Sequence, residues 1–129
     1  MRKPMSVVGS SFAVFAFSAI ATAGQDIVVD AEHTKLEFEN DCVYVVRANY
    51  GPGEKSPGLF DTPFGAVIVN ITAGRGFKLT FADGTSVILP DMQAGQVHWA
   101  TGGGQIQPEN PSTARVEYIA IVPKAGGCK

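Results

Sequence analysis

Residues 76–89 read GFKLTFADGTSVIL. In their first half Phe77, Leu79 and Phe81 alternate with Lys78 and Thr80. A period of two puts one set of side chains on a single face of a strand. Residues 85–89 are again β-branched and apolar, and only Ala82, Asp83 and Gly84 lie between the two runs. A link this short that ends in glycine predicts a tight hairpin, with Gly84 taking the positive φ that other residues adopt only at a cost.

The segments on either side repeat the pattern. Residues 35–39 (KLEFE) alternate cleanly, and residues 42–50 (CVYVVRANY) are rich in β-branched and aromatic side chains. Residues 65–71 (GAVIVNI) form a nearly continuous apolar run, as in a strand covered on both faces. Residues 96–100 (QVHWA) and 114–122 (ARVEYIAIV) complete the set. Pro52, Pro57, Pro63, Pro90, Pro108, Pro111 and Pro123 fall between these runs, where a missing N–H does no harm. No stretch shows helical periodicity. Short strands at regular spacing predict an all-β sandwich or barrel in one domain, residues 24–129.

Residues 1–23 do not belong to that domain. Arg2 and Lys3 are followed by a short apolar run over residues 7–20, then Ala21-Thr22-Ala23. Charge, a brief apolar stretch and a small-residue end make a cleaved secretory signal peptide. Its removal takes two positive charges and no acid from a chain of net charge −2, leaving −4. A mildly acidic chain without a Lys/Arg cluster is a poor partner for nucleic acid. No later run is long enough to span a membrane, so none is expected to hold the mature chain. In a periplasmic or secreted protein the two cysteines, Cys42 and Cys128, are expected to form a disulfide that staples the tail.

Two longer stretches frame the hairpin: residues 52–74 (PGEKSPGLFDTPFGAVIVNITAG) and residues 95–110 (GQVHWATGGGQIQPEN). Gly53 and Gly74 bound the first; Gly95, Gly103 and Asn110 space the second. This framework resembles the two motifs of small single-domain cupins. The resemblance implies a double-stranded β-helix, or jelly roll, and pairing into a homodimer. In metal-binding cupins two histidines and a glutamate of the first motif and one histidine of the second hold a metal. The matching positions here are Leu59, Asp61, Gly65 or Ala66, and Ile106, or Gln105 after a one-residue slip. Leucine, glycine and isoleucine donate no electron pair, and a tightly held transition metal needs three or more donors. No cofactor is therefore expected.

The remaining candidates divide by face. If Trp99 packs inward, alternation turns His98 outward onto the sheet surface. Asp61 occupies a former ligand position in a loop over residues 59–64, where it would either face the interior or cap the turn before Pro63. Phe60, Phe64, Trp99 and Tyr118 would line or fill the barrel, and in a barrel this small filling is the expectation. His33, in the polar stretch AEHTK, is expected to be solvated. No phosphate-binding loop and no Ser/His/Asp signature is present. Three readings stay open. One is a non-catalytic module that binds a small organic ligand through Asp61, Trp99, Gln105 and Tyr118. Another is a metal-free isomerase or lyase using Asp61 or His98. The third is a metal enzyme with relocated ligands such as Asp61, Gln105 and His98.

Overall fold

The structure, a computed structural model, describes residues 30–62 and 65–128. The expected signal peptide, residues 24–29 and Phe64 lie outside the described residues. The strands are β1 (Thr34–Glu39), β2 (Val43–Tyr50), β3 (Phe60–Thr62), β4 (Ala66–Asn70), β5 (Lys78–Phe81), β6 (Ser86–Ile88), β7 (Val97–Ala100), β8 (Gly104–Glu109) and β9 (Val116–Pro123). They form a five-stranded sheet in the order β1-β2-β9-β4-β7 and a four-stranded sheet in the order β3-β8-β5-β6. Every pairing is antiparallel. This is the all-β architecture expected from the strand pattern, in the jelly-roll form that the resemblance implies.

The β5–β6 hairpin forms where residues 76–89 place it. Gly84 has φ +89°. Asp83 Oδ1 accepts from the Thr85 hydroxyl at 2.6 Å and from its N–H at 2.9 Å. Those bonds hold the Asp83 carboxyl below its ordinary range. In β2 the alternation is complete: Tyr44, Val46, Ala48 and Tyr50 are buried and their neighbours are not.

Ala48, Tyr50, Phe77 and Val116 form the core, with Leu79, Leu89 and Tyr118 packed against it. Phe77 meets Tyr50 and Tyr118 edge-on, with centroids 5.7 and 6.0 Å apart. Asn110, the last residue of the second motif-like frame, is fully buried. Its Nδ2 lies 2.8 to 3.1 Å from the carbonyl oxygens of Tyr50, Gly51 and Ala114. Asn110 thus ties the end of β2 and the segment before β9 to its own turn, a structural role that accounts for an asparagine at that spacing.

The Cys42–Cys128 disulfide is present. Two local expectations are corrected. Residues 60–62, read as loop, form β3 because β8 supplies its ladder. His33 is not solvated: its side chain is 10% exposed, bonds Asp30 Oδ2 through Nδ1 at 2.6 Å and stacks on Tyr50.

Candidate functional site

Register sorts the inward side chains of the five-stranded sheet into levels. Lowest, Tyr118 pairs with both Ala48 and Asn70. Above them Val46, Ala120, Ile68 and His98 lie in one row across four strands. Tyr44 with Val122, and Ala66 with Ala100, make the next level. On the opposite sheet Phe60, Ile106 and Phe81 are register partners.

The low end is closed by the aromatic contacts of the core. Higher up, Ala48, Ala66, Ala100 and Ala120 all line the interior, and Gly104 adds no side chain. Groups that short cannot bridge two sheets packed roughly 10 Å apart. The result is a cavity of about 800 Å³ between the sheets. That lies within the roughly 300–1,000 Å³ typical of small-molecule sites. The expectation of a barrel filled by aromatic side chains is therefore corrected: the aromatics line a space and do not occupy it.

The strand that turns most against expectation is β7. Gln96, His98 and Ala100 line the cavity. Trp99 also borders it but is 58% exposed, as is Val97. The outward indole is seated against Gly65, the residue before β4. A Cβ at Gly65 would collide with the Trp99 ring and come within 2.8 Å of the Ala100 carbonyl oxygen. Glycine there leaves room for the ring against the backbone, and with Trp99 outward alternation turns His98 inward. His98 Nδ1 is buried and has no hydrogen-bond partner.

Tyr118 lines the cavity as well. Burial, aided by the negative charge of Asp30, pushes its phenol above the ordinary value of 10.0, so it stays protonated and remains a donor. Asp61 and Gln105 are register partners on β3 and β8. Asp61 borders the cavity, yet both residues are exposed, and Gln105 Nε2 donates to Asp61 Oδ1 at 3.0 Å. Ile106, not Gln105, lines the interior. Lys124 stands at the rim with Nζ 2.7 Å from Glu39 Oε2, a bond that raises its pKa.

Asp61 and His98 thus border the same cavity, while Gln105 lies outside its lining and is bonded to Asp61. Among the described residues no three His, Cys, Asp or Glu side chains could together hold a metal ion. That donor set does not fit the metal which the cupin resemblance brings with it.

Sequence reasoning passed over Asn70 and the alanines. Asn70 shares its strand face with Ala66 and Ile68 and is 6% exposed, and its Nδ2 has no partner. The signal was available as parity: a polar residue ending an apolar strand on the same face as its small residues. The alanines carry no chemistry of their own, so nothing in their identity marks them.

No family model matches the chain, and no curated protein matches it. Solved structures do. A cupin domain from Bordetella pertussis Tohama I superposes with a TM-score of 0.62 at 24% identity, over 71% of this chain and 92% of that one. A protein with a double-stranded β-helix domain from Klebsiella pneumoniae gives 0.51 at 15% identity, over 80% and 87%. The polyketide cyclase RemF from Streptomyces resistomycificus gives 0.51 at 12% identity, over 70% of this chain and 63% of that one.

Proposed function

Taking the cupin double-stranded β-helix as its frame, we propose that this protein binds a small, predominantly apolar organic molecule inside the barrel, without a metal. One observation carries the reading: the cavity of about 800 Å³, walled by alanines, aliphatic side chains and aromatic rings. Burial of apolar surface supplies the affinity in such a space, and a few polar groups set orientation. The disulfide and the signal-like leader support a periplasmic or extracellular setting, where the protein would meet such molecules free in solution.

The test is a fluorescence titration with N-phenylnaphthylamine, a neutral apolar dye. Saturable binding at one site per chain is expected. Ala120→Phe puts a ring into the row that holds Val46, Ile68 and His98. It should weaken binding by about tenfold or more while leaving the melting temperature unchanged or raised, since filling a cavity restores lost contacts. Equal binding by the folded variant would sink the proposal.

A second reading is favoured by the unpartnered Nδ1 of His98. An imidazole at an apolar wall can move a proton on a bound molecule. Asp61, at the cavity border with one carboxylate oxygen held by Gln105 Nε2, is the other candidate for that role. Mass spectrometry of ligand recovered after incubation separates binding from turnover: an unchanged ligand argues against catalysis.

A further inference from the structure

We propose that the cavity has a polar pole at Asn70 and His98, a subsite that holds the oxygen head group of a neutral ligand. The proposal rests on the barrel-binding reading above and adds the chemistry and orientation of what is bound.

Two buried side-chain atoms among the described residues lack a hydrogen-bond partner, Asn70 Nδ2 and His98 Nδ1. They belong to adjacent strands: His98 lines the cavity, and Asn70 is buried just behind that lining, beside Gln96 and Tyr118, which are part of it. Ile68 pairs with His98 and Val69 with Val97, and Asn70 N–H donates to Gln96 O at 2.9 Å. Asn70 and His98 are therefore diagonal neighbours on the same inward face, at the roughly 7–8 Å spacing such positions take. Buried polar groups are nearly always paired, because an unmade bond forfeits the solvation lost on folding. Orphans side by side mark a place where a partner from outside belongs.

Their chemistry states what that partner is. An amide Nδ2 only donates, so the partner must accept. Imidazole Nδ1 accepts or donates according to tautomer. A hydroxyl satisfies the pair by accepting from Asn70 and donating to His98. A carbonyl satisfies it by accepting from both. Charge narrows the class further. Lys124, the cavity's one described lysine or arginine, is at the rim and engaged by Glu39. A carboxylate at the pole would meet no fixed cation, and burying an unpaired charge is costly. The ligand is then a neutral ketone, ester, alcohol or phenol whose apolar body points along the Val46–Ala120–Ile68 wall toward the mouth.

The experiment displaces N-phenylnaphthylamine with three probes of matched size: butylbenzene, butyrophenone and phenylbutanol. In a purely apolar pocket an added oxygen weakens binding, because its water must be stripped without replacement. A polar pole reverses that order. With the native protein the ketone or the alcohol should bind at least as tightly as butylbenzene. In the double variant Asn70→Leu, His98→Leu, butylbenzene should lead the oxygenated probes by about tenfold, each affinity taken relative to that of the dye for the same variant. The variant should melt at or above the native temperature, since both orphans are gone. A native preference for butylbenzene equal to the variant's overturns the polar pole, including the case in which water alone fills it, and leaves the barrel-binding reading standing. Failure of the dye to bind the native protein overturns both.

Discussion

Asp30 shows how much one residue at the edge of a fold can hold. Its carboxylate is 1% exposed and accepts from Glu32 N–H at 3.0 Å, Tyr50 O–H at 3.2 Å and the His33 ring at 2.6 Å. His33 in turn reaches Glu54, 3.5 Å from its Nε2, and Glu54 accepts from Gly51 N–H at 2.6 Å. Four residues thereby bolt the leading turn to the barrel end. Asp30→Ala would strand a buried tyrosine hydroxyl and a half-paired imidazole. It should lower unfolding stability by about 1–3 kcal/mol, read from the urea midpoint, and leave dye binding intact because the cavity lies above Tyr118. None of this was legible in the sequence. AEHTK reads as solvent-exposed polar chain, and only the stacking of His33 on Tyr50 takes it out of water. At the same scale, the polar residues His98 and Asn70 were misjudged or unseen for one reason: residue type says how polar a group is, not which way its strand is turned.

Elements were far more readable. The hairpin, β2, β4 and β9 follow from alternation, β-branching and the placement of glycine, all local properties. The disulfide also has an explanation at this scale. β2 and β9 pair from Val43↔Pro123 to Tyr50↔Val116, so the residue before one and the segment after the other share an end of the sheet. Lys124 N–H donates to Cys42 O at 2.9 Å, and Gly126 and Gly127, with φ +82° and +69°, turn the tail back to bring Cys128 to its partner. The bridge closes a separation of 86 residues. Replacing both cysteines with serine should cost up to about 4–5 kcal/mol by the chain-entropy argument, measured by denaturant unfolding. A loss near zero would show that the β2–β9 ladder holds this end unaided. The elements that escaped sequence reading were β3 and β8. One has three residues and the other carries Gly104 and Pro108, so neither declares itself without the partner that pairs with it.

For the whole molecule, alkaline stability follows from two buried phenols. Burial is the leading cause that raises both Tyr50 and Tyr118 above the ordinary value of 10.0, with nearby negative charge adding to it. The folded state keeps protons that the unfolded chain gives up once the pH passes 10. Their contribution is therefore full below pH 10 and drains away as pH rises above it. Melting temperature should hold between pH 7 and about 9.5 and fall beyond, and Tyr118→Phe should flatten the fall. A variant that loses stability as steeply as the native protein would remove Tyr118 from the account.

By itself the sequence determined the all-β class, the hairpin, most strands and the cysteine pair, because period, turn chemistry and a lone pair of thiols are local or countable features. Only the tertiary structure decided that the barrel is hollow, that Trp99 lies outward over Gly65, and that His98 and Asn70 face inward together. Those outcomes depend on volumes summed across strands far apart in the chain. Four alanines make a cavity when they face one another across two sheets, and make nothing when read along a line.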